Sequence, residues 1–146
     1  METIWSFKTR NFRVTLACEP ERDLDLSWDE TGEAAEKIAS GEWENVTFRV
    51  MVEGPNGAEL GADYLGNSIY ADVRDFRKEH IGAQGRYGSY FRDMVSEAIR
   101  EARDALRRQQ RRDDAQSQLD ALMGENPTEA AILERRIQTL NARIDA

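Results

Sequence analysis

The chain has 146 residues with an ordinary apolar share and a net charge of −8, enough for one domain with a core, or one domain plus an appendage. That charge argues against general binding of nucleic acid through its phosphates. A single cysteine, Cys18, excludes an internal disulfide and is read as a small buried residue of a reducing cytoplasm. The first residues lack a charged leader followed by an apolar core, and no apolar run approaches the length of a membrane span.

The first twenty residues predict a β-hairpin. Thr3, Trp5 and Phe7 alternate with Ile4, Ser6 and Lys8; after Thr9-Arg10, Phe12, Val14, Leu16 and Cys18 alternate with Arg13, Thr15, Ala17 and Glu19. Pro20 ends the second strand, and an acidic segment follows. Glu19 to Glu44 holds ten carboxylates against Arg22 and Lys37, a surplus of eight that equals the whole net charge. Ser27 with Glu30 reads as a capping box, with Thr31 as a rival N-cap, for a short helix through Ala34, Ala35 and Ile38 that stops at Gly41. Trp28 and Trp43 flank it and are expected to face inward and pin it to the sheet.

Two further strands are predicted. Val46, Phe48, Val50 and Val52 share one face of the first; Gly54-Pro55-Asn56-Gly57 is a turn; Ala58, Leu60, Ala62 and Tyr64 continue as the return strand. Gly66-Asn67 is expected to turn the chain again. Asp72 reads as the N-cap of a short helix through Val73 and Phe76 that ends near His80.

From Gly88 to Met123 runs the longest continuous pattern. Tyr90, Phe91, Met94, Val95, Ala98, Ile99, Ala102, Ala105 and Leu106 recur at helical spacing behind Ser89 as N-cap. At about 1.5 Å per residue this helix is roughly 50 Å long, so part of it is expected to project. Gly124 then reads as a C′ residue, and Asn126-Pro127-Thr128-Glu129 restarts a helix whose Leu133, Ile137, Leu140 and Ile144 share one face. The expected fold is α+β: a mainly antiparallel four-stranded sheet packed on the long C-terminal helix over residues 1–106, and a helical hairpin arm over 107–146. Leu119, Leu122, Leu133, Ile137, Leu140 and Ile144 are expected to form an oligomer interface, two arms making a four-helix bundle.

No catalytic or metal-binding constellation stands out, and no cofactor is expected. His80 is the only histidine and has no second ligand or base beside it in the sequence. Asp23, Asp25 and Asp29 lack the glycine and terminal glutamate of a calcium loop. Residues 82–88 form a glycine-rich loop before a helix, so Gly85, Arg86, Gly88 and Ser89 offer an alternative reading as a small-anion or nucleotide-signal site; a P-loop Lys-Ser/Thr is missing. The arginines between Arg100 and Arg112 interleave with acids and read as a solvated face with i,i+4 pairs.

The acidic segment is the most distinctive feature. Besides a solubilising role, it reads as a DNA-like surface on which Asp23, Asp25, Asp29, Glu30, Glu33 and Glu36 imitate phosphates before a basic partner. Three stretches, residues 23–32 (DLDLSWDETG), 62–70 (ADYLGNSIY) and 88–99 (GSYFRDMVSEAI), together resemble small uncharacterised proteins carried by bacterial phages, plasmids and integrative elements. That resemblance covers about residues 1–106. It supplies no active site and implies a mobile-element setting, in which many small acidic proteins disarm host defence. The expectation is therefore a non-enzymatic cytoplasmic interaction module, an acidic inhibitor of a bacterial defence or nuclease complex. Its expected partner is a host protein with a basic surface. A purely structural oligomer is a further alternative.

Overall fold

A computed structural model describes residues 1–80, 90–123 and 127–145. Strands β1 (Glu2–Lys8), β2 (Arg13–Pro20), β3 (Glu44–Glu53) and β4 (Glu59–Tyr70) form one antiparallel sheet in the order β1-β2-β3-β4. Helix α1 (Glu33–Ala39) lies between β2 and β3 in the chain. Helices α2 (Asp75–His80), α3 (Tyr90–Met123) and α4 (Pro127–Ile144) follow β4. The fold is α+β, with the sheet packed against the long helix. Two compact units divide inside α3, Met1–Ala102 and Arg103–Ala146.

Sheet register decides which residues reach the core. One face of β2 and β3 supplies Val14, Leu16, Cys18, Val46, Phe48, Val50 and Val52, all buried. Trp5 opposes Leu16 and Phe7 opposes Val14, so Trp5 and Phe7 join that face. Between Thr3 and Trp5 the register slips by one residue, and Ile4 is thereby also packed against the core. An extra residue in one strand breaks strict alternation and bends the edge. Leu60 is brought to the core in the same way, because the register slips between Val52 and Glu53; Ala62 and Tyr64 pair with Met51 and Arg49 on the opposite face. Leu60 thus stands apart from the face that Ala62 and Tyr64 share.

The turns follow their residue chemistry. Gly57 takes φ 78° in the β3–β4 turn, where Asn56 Oδ1 accepts from Ala58 N–H at 3.2 Å. Gly66-Asn67 does not reverse the chain. Strand β4 runs on through Tyr70, with an extra residue opposite Val46–Phe48 and Asn67 at φ 49°. Asn tolerates this left-handed geometry better than most residues, so a bulge replaces the expected turn.

On α3, Phe91, Met94, Ala98 and Ala102 are buried, and Val95 and Ile99 flank them half-buried. The two alanines are small where the helix backs closely onto Gly61 of β4. A Cβ on Gly61 of β4 would stand 2.2 Å from Ala98 O and 2.8 Å from Ala102 N. From α2, Phe76 stacks on Phe48 with ring centres 3.9 Å apart, and Tyr70 meets both rings edge-on. Asp72 lies three residues ahead of α2, where its Oδ1 accepts from Arg74 N–H at 3.0 Å; it closes a turn rather than capping the helix.

Within the second unit, Leu119 of α3 and Ala130 of α4 are buried, and Leu122, Leu133, Ile137 and Ile144 are half-buried. Leu119 therefore belongs to the hairpin's own seam, while Leu140 remains 51% exposed. A small cleft of about 120 Å³ is lined by Ile137, Leu140 and Ile144 with Arg111 and Arg112, and Arg112 pairs with Asp145 at 2.7 Å. Charges along α3 pair at i,i+3, Glu97 with Arg100 and Asp104 with Arg107, rather than at the expected i,i+4 spacing.

Candidate functional site: the acidic segment and its anchor

The acidic segment leaves β2 at Pro20 and is tied to the sheet at once. Glu21 N–H donates to Asn45 O at 3.0 Å. The Glu21 carboxylate accepts from the Thr47 hydroxyl at 2.6 Å and from Asn67 N–H at 3.0 Å; it also accepts from the N–H groups of Arg22 at 3.0 Å and Asp23 at 3.2 Å. Four donors favour the ionised form, with Thr47 foremost, and hold the Glu21 carboxyl at about 2. The bulge in β4 serves this site directly. Asn67 turns its N–H to Glu21, and its Oδ1 accepts from Asp25 N–H and from Asn45 Nδ2, both at 3.4 Å. A side chain at Gly66 would place its Cβ 3.0 Å from Glu21 Oε2. No sequence pattern joins Glu21, Thr47 and Asn67, because they are adjacent only through strand pairing.

Further along, the acids divide between internal and outward roles. Asp25 Oδ1 accepts from Ser27 N–H at 3.0 Å, which lowers the Asp25 carboxyl below its ordinary range. Asp29 Oδ2 accepts from Ala35 N–H at 3.0 Å in the first turn of α1. Helix α1 begins after Gly32 at φ 74°, without a side-chain hydrogen bond from the N-cap itself. The capping box of Ser27 and Glu30 is therefore not formed, and Thr31 only accepts a long bond from Glu33 N–H at 3.4 Å. Asp29 does the capping work from three residues upstream, a placement that the loop's path alone makes available.

Lys37 is shared. Its Nζ is 3.1 Å from Glu33 and 3.7 Å from Glu42, and it lies 4.3 Å from the centre of the Trp43 ring. The hydrogen bond to Glu33 raises the Lys37 pKa despite partial desolvation. Trp43 is half-buried, whereas Trp28 is 59% exposed and does not pin the helix as expected. A loop tied down by backbone and carboxylate hydrogen bonds does not need an aromatic anchor at that position.

Of the six expected partner-binding acids, Asp25, Asp29 and Glu33 are thus engaged within the molecule. Asp23, Glu30 and Glu36 are exposed, with no side-chain hydrogen bond or ion pair among the described residues. Among the ten carboxylates of the segment, only Glu33 and Glu42 have an ion-pair partner there.

The alternative anion site at Gly85, Arg86, Gly88 and Ser89 lies outside the described residues, as do the expected caps Gly124 and Asn126. Among the described residues no group of three or more His, Cys, Asp or Glu is placed to hold a metal ion, and no helix is long and apolar enough to cross a membrane. His80 is buried, with its Nε2 3.3 Å from the Tyr70 hydroxyl and its ring against Phe76 and Tyr90. Burial raises the pKa of the Cys18 thiol, as befits a core residue rather than a nucleophile.

Beside His80 a cleft of about 680 Å³ is lined by Trp43, Tyr70 and Tyr90 together with Asp75 and Glu79. Comparison with protein-family models, with curated proteins and with solved structures gave no match.

Proposed function

We propose that this chain is a non-enzymatic interaction module whose acidic segment engages a basic surface on a host protein. In the mobile-element setting that the sequence resemblance implies, the role is inhibition of a bacterial defence or nuclease complex by a DNA-like arrangement of carboxylates. The observation that carries the reading is the anchored segment: eight of its ten acids lack a cation partner among the described residues, and Glu21 ties its start to β3 and β4. An interaction surface gains from such anchoring, since a loose acidic loop would lose conformational entropy on binding. Excess negative charge also steers a basic partner over distance.

The experiment follows from the division of the acids. Asp23→Asn, Glu30→Gln and Glu36→Gln together remove three outward charges and none of the hydrogen bonds that shape the loop. Capture of a basic host protein by the wild-type chain should weaken steeply with salt, because exposed charges are screened over about 8–10 Å near physiological ionic strength. The triple variant should lose that capture with an unchanged thermal midpoint. Undiminished capture would refute the reading.

Self-association through the arm belongs to the same proposal. Leu140 and Ile132 are more than half exposed on α4, and a second arm would cover them.

A further inference from the structure

We propose that the cleft between the two hairpin turns at one end of the sheet binds a phosphate monoester through Lys8, Arg10 and Arg13. The cleft has a volume of about 340 Å³. The β1–β2 turn and its flanks supply the three cations, and the β3–β4 turn supplies Gly54 and Pro55. Strand register sets two of the cations side by side. Val14 and Val52 are buried in the core, so alternation puts Arg13 and Glu53 on the other face. Lys8 is the direct cross-strand partner of Arg13 and follows Phe7, which packs on the core, so Lys8 shares that face. Like charges directly opposite each other on a sheet are destabilising. An anion held between them replaces that repulsion with two charge-assisted contacts. Arg10 adds a third cation from the turn itself.

None of the three has a carboxylate within ion-pair distance among the described residues. Residues 81–89 contain no Asp or Glu. The residues that bracket them, His80 and Tyr90, stand by Tyr70 at the opposite end of the sheet. Glu53 is the one acid among the described residues that line the cleft, so the three cations leave a surplus of two. A phosphate monoester carries about −1.5 to −2 at neutral pH, which matches that surplus better than the single charge of a carboxylate. Guanidinium forks also fit phosphate oxygens in pairs.

Both walls are set before a ligand arrives. Thr9 N–H donates to Phe12 O at 2.8 Å, Phe12 N–H donates to Thr9 Oγ1 at 3.1 Å, and the Phe12 ring is buried in the core. Across the cleft, Gly54 N–H donates to Ala58 O at 2.9 Å and Gly57 N–H to Gly54 O at 3.0 Å, while Pro55 fixes its own φ. Walls of this kind lower the ordering cost of binding. The acidic segment joins the sheet at Pro20 and Glu44, at the far end of the strands, so this site is independent of the acidic-surface reading.

The test titrates the full-length isotope-labelled chain at low salt with glycerol phosphate. Dimethyl phosphate serves as a monoanionic control and glycerol as a neutral one. Glycerol phosphate should shift the Arg10, Asn11 and Gly54 amides saturably, dimethyl phosphate should bind at least about threefold more weakly, and glycerol should leave the amides unmoved. Arg10→Gln, Arg13→Gln and Lys8→Gln should each weaken glycerol phosphate by about threefold or more. Lys8→Gln should do so with an equal or higher thermal midpoint, because it also removes the repulsion with Arg13. A capped Gly-phosphoserine-Gly peptide separates the two sources of the group. Tighter binding than glycerol phosphate assigns the site to a phosphorylated protein, and equal or weaker binding assigns it to a free small phosphate. No saturable shift at these turns, equal binding of dimethyl phosphate, or unchanged affinity in all three variants would overturn the inference.

Discussion

Glu21 shows how much one side chain can organise. Its carboxylate accepts from two strands and from the start of its own loop, and the ionised form is favoured down to about pH 2. An unfolded glutamate titrates near 4.3. The folded value is the lower one, so the contribution of Glu21 to stability is complete above the unfolded value and is lost as pH falls from there toward 2. We expect the protection of the Arg22, Asp23 and Asn67 amides against hydrogen exchange, taken relative to their intrinsic rates at each pH, to fall across that window. Glu21→Gln should remove the pH dependence of that protection and leave those amides weakly protected at neutral pH as well. Gly61 is the second residue whose identity is dictated from outside its own strand. An alanine there meets backbone atoms of α3 that cannot rotate away, so strand or helix must shift. Overpacking of this kind costs about 1–3 kcal/mol, and Gly61→Ala should lower the urea midpoint accordingly.

Among the elements, α3 carries the domain. Phe91 is 7% exposed and meets Trp5 with ring centres 5.8 Å apart, which joins the helix start to the edge strand β1. Truncation of a buried phenylalanine costs about 3–5 kcal/mol, so Phe91→Ala should lose stability on that scale in equilibrium unfolding. A loss under about 1 kcal/mol would mean that the ring does not anchor the helix. Helix α1 is the opposite case. Its seven residues have one buried side chain, Ala34, and its start depends on the Asp29 bond. Short helices are marginal by themselves, and this one is held by capping and by the Lys37 pairs rather than by an apolar face.

At the scale of the whole molecule, charge divides along the compact units. Residues 1–102 hold twenty acids against twelve bases, a balance of −8, and residues 103–146 hold eight of each and are neutral. A neutral arm can meet a second neutral arm without net repulsion, whereas the charge available for a basic partner is confined to the first unit. Double substitution of Ile132 and Leu140 by glutamate should shift a sedimenting oligomer to monomer while leaving helicity unchanged. A wild-type monomer would rule out assembly through these residues.

The pattern of residues was sufficient for the elements. Alternation identified β2 and β3, helical spacing identified α3, and Asn56-Gly57 identified the hairpin turn, because each of these signals is local. The surplus of acids between Glu19 and Glu44 is equally a property of composition. Tertiary structure alone decided which of those acids stay free. Asp29 serves α1 and Glu21 serves β3 and β4 because strand pairing and a bulge at Asn67 bring distant donors to them. It also decided that Trp28 faces solvent, that Leu60 and Ile4 turn inward at register slips, and that Gly61 must lack a side chain. Periodicity reports on a chain's neighbours three or four residues away; hydrogen bonds and close packing join residues as far apart as Glu21 and Asn67, and no spacing rule encodes them.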